Sequence, residues 1–365
     1  MKIGIDARLS GSKHAGIGRY TQNLIRELIT QNKKDTFVCF FYDLEQATAV
    51  LAELNTNKKV KTVITPIRHY TFAEQMELPK LFAAEKLDLL HVPHFNVPIL
   101  YTGRLVITIH DLLWHEYKGK SVTTLNPVQY LLKYFFYRLV TRIAVHKAIK
   151  ILVPAQTIKN TVLRFYPKTK DKIVITKEGA TLINPKKLKD LPKLKHTFLY
   201  VGSLYPHKNL KLVLESLKSL PKYKLLIAGS RTVFQDRVKS YIKYKDIADQ
   251  VEFLGYVPDA ELAQLYKQVT ALVQPSFSEG FGLTGVEAMS VGTSVLASDI
   301  PIFKEIYQDA AFYFSPHSTA SFIQAVHALE ETAGAINVEG LKIIKNYSWQ
   351  KMAQETAVVY TEVLK

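Results

Sequence analysis

Short apolar runs alternate with helix-like segments along the first half of the chain. The runs typical of buried strands are KIGIDA, FVCFFY, KTVITPI, LDLLHV and LVITIHD. Between the first two lies RYTQNLIRELIT, in which apolar residues recur at helical spacing. Strands that alternate with helices pair in parallel through right-handed crossovers. This half therefore predicts a parallel α/β sheet.

The second half shows the same alternation more clearly. Its strand-like runs are HTFLYVG, YKLLIAGS, VEFLG, TALVQP and TSVLASD, and helix-like segments such as NLKLVLESLKSL and TGVEAMSV lie between them. A polar stretch, residues 169–195, separates the halves and predicts a linker. The fold class is thus α/β, with two doubly wound, Rossmann-like domains that face a central cleft. Ligands of such sheets bind outside the carboxyl ends of the strands.

Composition places the chain among ordinary globular proteins. It has 365 residues, 47% of them hydrophobic and 22% charged. Cys39 is the single cysteine, so it forms no internal disulfide and fits a reducing compartment. No apolar run approaches the roughly 18–20 residues of a membrane-spanning helix. MKIGIDA enters a strand without a basic and apolar leader, and we expect a cytoplasmic protein.

The net charge of +16 is unevenly distributed, because no acidic residue occurs between Glu116 and Asp171. This region contains NPVQYLLKYFFYRLVTRIAVHKAIK, which is rich in aromatic residues and has helical spacing. One interpretation is a basic helix on an anionic membrane surface. The candidate contacts are Lys133, Arg138, Arg142 and Lys147. The alternative is a surface helix whose aromatic residues face the core while its cations are solvated. Nucleic acid is not an expected partner.

The predicted strands end in loops with candidate chemistry. In the first half these are SGSKHAGIGRY and HDLLW, and Gly16 and Gly18 form only a fragment of a dinucleotide fingerprint. In the second half GSLYPHKN places Lys208 just before a helix, where an ammonium and backbone amides attract phosphate. His91 and His94 have no neighbouring carboxylate or thiol in HVPHF, so we expect no metal site.

The loop PSFSEGFGLTGVEAMSVGTSV carries the strongest signal. Glu279 and Glu287 flank three glycines, Gly280, Gly282 and Gly285. Glycines let the backbone approach a ligand, and amides at the helix start bind anions. One carboxylate would address a reacting sugar and the other would accept hydrogen bonds from a ribose diol. The alternative is a capped loop–helix junction with incidental acids.

Over nearly its whole length the chain resembles a family-4 glycosyltransferase of the GT-B fold. The motifs that carry the resemblance are GIDARLSGSKHAGIGRYTQNLIREL, ITIHDLLWHEY, YVGSLYPHKNL, PSFSEGFGLTGVEAMSVGTSVLASDIPIFKEI and YSWQKMAQETAVVYTEVL. The resemblance implies an acceptor-binding domain over residues 1–172 and a nucleotide-sugar domain over 173–347. It also implies that a C-terminal helix, 348–365, crosses back to the first domain.

The resemblance implies a role for each matching residue. His110 and Glu279 would be catalytic, Lys208 would neutralise the leaving diphosphate, and Glu287 would bind the ribose. The remaining donor-binding residues would be Gly16, Gly18, Gly202, Ser203, Gly280, Phe281, Gly282 and Leu283. Family members retain the anomeric configuration without a metal, so we expect no cofactor besides the donor substrate.

Two positions depart from the family pattern. Many relatives have an arginine at Ser203 and another basic residue at His207. Arg19 or Arg231 would then have to supply the second cation beside Lys208.

Three functions remain open. The first is a retaining hexosyltransferase that moves mannose from GDP-mannose to a lipid-linked or polysaccharide acceptor at the inner membrane face. The second is a sugar-nucleotide epimerase of the same fold. The third is a non-catalytic membrane- or polyanion-binding protein on a degenerate transferase scaffold.

Overall fold

The computed structural model describes residues 1–11, 14–32, 34–52, 54, 60–119, 123–229, 233–332 and 334–365. They form two compact units. The first unit comprises Met1–Leu112, Asn126–Gly179 and Ser348–Lys365, and the second comprises Leu113–Leu125 and Ala180–Tyr347.

The strands follow the predicted alternation. They are β1 (Lys2–Asp6), β2 (Thr36–Phe41), β3 (Val60–Ile64), β4 (Leu89–Val92), β5 (Leu105–Thr108), β6 (Lys150–Val153), β7 (Ile173–Ile175), β8 (Leu194–Val201), β9 (Lys224–Ala228), β10 (Val251–Gly255), β11 (Val269–Gln274), β12 (Ser294–Ser298) and β13 (Ala311–Phe314).

The α-helices lie between these strands. They are α1 (Ala15–Gln31), α2 (Leu44–Leu51), α3 (Phe72–Met76), α4 (Leu78–Ala84), α5 (Leu113–Glu116), α6 (Pro127–Lys147), α7 (Gln156–Phe165), α8 (Leu210–Ser216), α9 (Gln235–Lys245), α10 (Asp259–Gln268), α11 (Leu283–Ser290), α12 (Pro301–Tyr307), α13 (Thr319–Glu331), α14 (Val338–Ile343) and α15 (Trp349–Leu364). None of the helices in the described part of the chain is long and apolar enough to cross a membrane.

Each unit is built on one parallel sheet. The first sheet has seven strands in the order β3-β2-β1-β4-β5-β6-β7, and the second has six in the order β10-β9-β8-β11-β12-β13. All the strand pairs are parallel. The strand order reverses between β1 and β4 in the first unit and between β8 and β11 in the second. Such a switch point is where doubly wound sheets bind ligands.

The cores of both units are apolar because parallel strands are covered on both faces. The strands β4, β5 and β12 are buried along their whole length. In the second unit the buried cluster joins strands β8, β9, β11 and β12 to helices α8 and α13. The prediction of two parallel α/β domains is confirmed.

The C-terminal helix α15 groups with the first unit. It packs on α1, and the Tyr360 hydroxyl lies 2.6 Å from Nδ1 of the buried His91. A Cβ at Gly179 would lie 2.1 Å from the Trp349 backbone nitrogen, so only glycine permits this approach.

Two details differ from the sequence prediction. The predicted linker 169–195 contains β7 and the first residues of β8. The sequence did not indicate β7, because this strand has only three residues and polar residues surround it. The contacts divide the chain between Gly179 and Ala180 and group Leu113–Leu125 with the second unit. The sequence-based division lies at 172 and 173 and leaves that segment in the first domain.

Candidate functional site

Two loops of the second unit meet at its switch point. The loop after β8 ends in a short 3-10 helix, Pro206–Lys208, and the loop after β11 contains Glu279. The Phe277 amide donates to the His207 carbonyl oxygen at 2.8 Å. The Asn209 side-chain amide donates to the Pro275 carbonyl oxygen at 3.0 Å. These bonds fix one loop against the other, as expected for neighbouring strands whose carboxyl ends share an edge.

Lys208 and Glu279 form an ion pair between the two loops. Lys208 Nζ lies 2.6 Å from Glu279 Oε2, and the Ser276 hydroxyl donates to Glu279 Oε1 at 2.7 Å. Burial opposes ionisation of Glu279, but the Lys208 charge and the hydrogen bonds from Lys208 and Ser276 outweigh it. The pKa of Glu279 therefore lies below its ordinary value. The site holds one cation and one carboxylate at the place where a charged ligand would bind.

Helix α11 begins at Leu283, four residues after Glu279. Gly282 is its N-cap and has φ +104°, a conformation that favours glycine. The Tyr307 hydroxyl lies 2.7 Å from the Gly282 carbonyl oxygen and 2.6 Å from Gln274 Oε1. These two contacts hold the turn at Gly282 in place. The amides of the first helical turn are the ones that bind anions at helix N-termini.

The other predicted residues of this loop have different surroundings. Gly280 and Leu283 are half-buried. The Phe281 ring is buried, with its centroid 5.3 Å from that of Tyr347, so only its backbone is available to a ligand. Glu287 is buried on α11, and its Oε2 accepts a hydrogen bond of 3.3 Å from the Tyr266 hydroxyl.

The β8 loop contains the residues of the predicted clamp. Gly202 and Ser203 follow the strand, and the Ser203 carbonyl oxygen accepts a bond of 2.5 Å from the Tyr200 hydroxyl. Of the two arginines considered as replacements for the family's clamp arginine, Arg19 lies in α1 of the first unit. Arg231 lies outside the described residues.

In the first unit, His110 follows β5 and contacts two acceptors. Its Nδ1 lies 2.6 Å from Glu178 Oε1, and its Nε2 lies 3.3 Å from the Pro93 carbonyl oxygen. The Tyr20 ring packs edge-on against the imidazole at 4.6 Å. A carboxylate and a carbonyl oxygen only accept hydrogen bonds, so each ring nitrogen faces an acceptor.

Gly16 and Gly18 lie at the start of α1 in the first unit. Gly16 is exposed. A Cβ at Gly18 would lie 2.0 Å from the Gly11 carbonyl oxygen. Close backbone packing thus accounts for Gly18, and the donor-binding role of both glycines stays a prediction.

A buried ionic cluster at the switch point of the first unit was not predicted. The Arg8 guanidinium is fully buried, donates two hydrogen bonds to Asp6, of 2.8 and 2.7 Å, and donates a third to Glu74 at 2.9 Å. The Asn96 amide donates to the other Glu74 oxygen. The available signal was the acid–base spacing in GIDAR at the end of β1, which places both side chains at the ligand-binding edge.

Glu178 and Asn209 were also missed as parts of the two sites. Glu178 is 68 residues from His110 in sequence, and no local pattern links them. Asn209 has φ +53°, and its side-chain amide donates to the carbonyl oxygens of Pro275 and Pro316 in two different loops. An asparagine immediately before a helix is a sequence signal for such a conformation.

A cavity of about 330 Å³ lies beside the β11 loop in the second unit. It is lined by Tyr117, Phe277, Asp299, Ile300, Ser315, Pro316 and His317. It adjoins the ion-pair loop through Phe277 but does not contain the Lys208–Glu279 pair.

The four predicted membrane contacts all lie on α6, but in different settings. Lys133 Nζ lies 5.7 Å from the Tyr70 ring centroid, and the half-buried Arg138 packs over Phe165. The Lys147 ammonium donates to the Ile99 and Tyr101 carbonyl oxygens. Arg142 is exposed.

Comparison with known families matches both halves of the chain. Residues 14–180 match the model described as Glycosyltransferase Family 4, and residues 184–341 match the model described as Glycosyl transferases group 1.

Individual relatives agree with this match. The O-antigen chain mannosyltransferase RfbU of Salmonella typhimurium is 26% identical over 90% of this chain and 90% of its own. The GDP-mannose:cellobiosyl-diphosphopolyprenol alpha-mannosyltransferase of Komagataeibacter xylinus is 30% identical over 46% of each chain. The structure of Anabaena HepE in complex with UDP and glucose superposes with a TM-score of 0.77 at 16% identity, over 99% of this chain and 100% of HepE.

Proposed function

Because the chain belongs to the family-4, group 1 glycosyltransferases of the GT-B fold, we propose that it transfers mannose from GDP-mannose with retention of configuration. The acceptor in this proposal is a lipid-linked glycan or a polysaccharide at the inner face of a membrane. The reaction proceeds without a metal, and the second unit binds the donor.

The observation that carries the proposal is the Lys208–Glu279 ion pair at the β8–β11 switch point. A nucleoside diphosphate is already a good leaving group, so the enzyme has to stabilise the negative charge that develops on it. Lys208 and the first-turn amides of α11 supply positive charge at one place. Glu279, ionised beside them, is positioned for the sugar hydroxyls and the positive charge that develops on the sugar.

His110, a residue of the first unit, is also catalytic in this proposal. The hydrogen bond from its ring to Glu178 fixes the orientation of the imidazole. A ring held in one orientation does not have to reorganise during the reaction. Glu287, whose carboxylate is bonded to Tyr266, is the candidate ligand of the nucleotide ribose.

The names of the relatives support the choice of sugar and acceptor. RfbU is an O-antigen chain mannosyltransferase, and the Komagataeibacter protein takes GDP-mannose and a diphosphopolyprenol-linked disaccharide. Both names describe mannosyl transfer, and the second also specifies a lipid carrier.

The test is a transfer assay with radiolabelled GDP-mannose and a panel of polyprenyl-diphosphate-linked oligosaccharides, with and without EDTA. The proposal expects label in the lipid fraction, unaffected by EDTA, and loss of label with Glu279→Gln. Inversion of configuration at the new linkage or strict dependence on a divalent metal would contradict the mechanism.

Two other outcomes would favour the alternative functions. Conversion of the donor sugar in the absence of any acceptor would indicate an epimerase. Lipid binding that Glu279→Gln leaves unchanged, together with no turnover of any nucleotide sugar, would indicate a non-catalytic scaffold.

A further inference from the structure

Helix α6 has two apolar faces, one buried and one exposed. Tyr130, Thr141, Ala144 and Val145 are buried. On the opposite side lie large apolar side chains that are between 38% and 77% exposed, and we name this set the α6 stripe: Val128, Leu131, Leu132, Phe135, Phe136 and Leu139. Their three- and four-residue spacing places them on one helix face.

The α6 stripe differs from the scattered apolar residues of an ordinary surface. It runs about 16 Å along the helix without a polar residue on its centre line. Contiguous exposed apolar surface of this kind marks an interaction site.

The charge around the stripe indicates which surface covers it. The segment between Glu116 and Asp171 contains only basic charged residues. Arg142 is exposed three positions after Leu139 and continues the line of the stripe. This positive field attracts anionic lipid headgroups, while the apolar side chains match the acyl region beneath them.

A second copy of the chain fits this surface less well. In a symmetric dimer the stripe would contact itself, and the basic residues of one copy would face those of the other. The like charges would repel, and no acidic residue of this segment is present to pair with them.

We propose that the α6 stripe docks the protein on an anionic bilayer, with its apolar side chains inserted among the acyl chains and Arg142 at the headgroups. The reason for docking rests on the proposed function, because docking would bring the enzyme to a lipid-linked acceptor. This inference differs from the alternative in which the aromatic residues of this helix face the core, while the four basic contacts named from sequence stay a prediction. Phe135 and Phe136 face outward, while Lys147 and Arg138 contact the protein itself.

The test is co-sedimentation of the full chain with vesicles of phosphatidylcholine, with and without phosphatidylglycerol, in the absence of any nucleotide sugar. The wild type is expected to bind the anionic vesicles and to keep part of its binding as salt rises. Arg142→Gln should weaken binding about fivefold at low salt, as loss of one interfacial cation implies, and less at high salt.

A triple variant separates insertion from charge attraction. Leu132→Ser with Phe135→Ser and Phe136→Ser should lower the partition coefficient by at least about tenfold at every salt concentration, because less apolar area is inserted. The matched control is Tyr244→Ser with Tyr256→Ser, which removes two exposed aromatic rings from the second unit. It should bind like the wild type.

Fluorescence provides a second measurement that does not depend on how the triple variant folds. A single Phe135→Trp variant should show a blue-shifted emission with anionic vesicles and quenching by lipids brominated on the acyl chain. Absence of wild-type binding at low salt, or equal binding by the triple variant, would overturn the proposal. So would a dimer in sedimentation velocity that the triple variant converts to monomer. Vesicle binding without mannosyl transfer would contradict the proposed function and leave the docking surface intact.

Discussion

Glu178 holds the His110 side chain in place through a hydrogen bond. Its carboxylate accepts from His110 Nδ1 at 2.6 Å, and both side chains are buried. A hydrogen bond to a charged group contributes about 1.5–3 kcal/mol. Under the proposed function, this energy holds the imidazole in the orientation that it needs during transfer.

Glu178→Gln keeps the shape of the side chain and removes its charge. We expect kcat to fall about ten- to a hundredfold, which corresponds to loss of a charge-assisted hydrogen bond. The KM for the donor should change little, because the proposed function assigns donor binding to the second unit. Steady-state kinetics measures this split, and the ¹⁵N chemical shift of His110 Nδ1 should change, because its hydrogen-bond acceptor is altered.

Glu85→Gln is the matched control for this substitution. Glu85 pairs with Lys61 and Lys2 near the surface, away from both candidate sites. It should leave kcat and the His110 spectrum unchanged. An unchanged kcat and spectrum in Glu178→Gln would show that the pair has no positioning role.

At the scale of elements, helix α11 depends on a close approach to α12. A Cβ at Gly285 would lie 2.3 Å from the Tyr307 hydroxyl oxygen and 2.5 Å from Gln274 Oε1. Alanine normally favours a helix over glycine, but here the contact is too short. We expect Gly285→Ala to destabilise the protein by about 1–3 kcal/mol through overpacking, as measured by urea unfolding.

Removing the opposing hydroxyl tests this explanation. Tyr307→Phe in the Gly285→Ala background should recover part of the lost stability, although Tyr307→Phe alone should be destabilising because Gln274 loses its partner. Additive destabilisation in the double variant would show that the hydroxyl is not the source of the strain, since the Tyr307 Cζ, 2.5 Å from the same Cβ, stays in place.

The elements also show what sequence could predict. The strands and helices were predictable because apolar periodicity is local, and the meeting of Lys208 with Glu279 followed from the shared edge of parallel strands. The sequence could not predict which face of α6 is exposed. Both faces carry apolar residues, and only the packing shows which of them is buried. The Arg8 cluster and the His110–Glu178 pair join distant segments that no spacing links.

At the scale of the whole molecule, buried histidines make the first unit sensitive to acid. Burial lowers the pKa of His69 and of His91 to about 3, and that of His94 lies well below its ordinary value. Each is neutral when folded and takes up a proton when unfolded. Their contribution to the free energy of unfolding is complete above the pKa of an unfolded histidine, about 6.5. It is lost as the pH falls toward 3.

We therefore expect the first unit to lose about 2 kcal/mol per histidine by pH 5. Hydrogen exchange by mass spectrometry at pH 7.5 and pH 5 should show earlier exposure of β4 and α15, which the His91–Tyr360 contact joins. His91→Gln should reduce the protons taken up on unfolding by about one. Equal protection of β4 and α15 at both pH values would contradict this expectation.

Under the proposed function, the Lys208–Glu279 site binds the diphosphate of a nucleotide sugar. Thermal unfolding with GDP-mannose, UDP-glucose, ADP-glucose and dTDP-glucose, without added metal, tests it most directly. A ligand at a hundredfold excess over its Kd adds about 2.7 kcal/mol to the folded state.

The account predicts a rise in unfolding temperature that is largest with GDP-mannose and lost in Lys208→Met. Lys208→Met with Glu279→Gln is the matched control, because it removes the half-buried carboxylate that the single variant leaves without its cation. It should restore stability without restoring the ligand-induced shift. No shift with any nucleotide sugar at millimolar concentration, or an undiminished shift in Lys208→Met, would contradict the account.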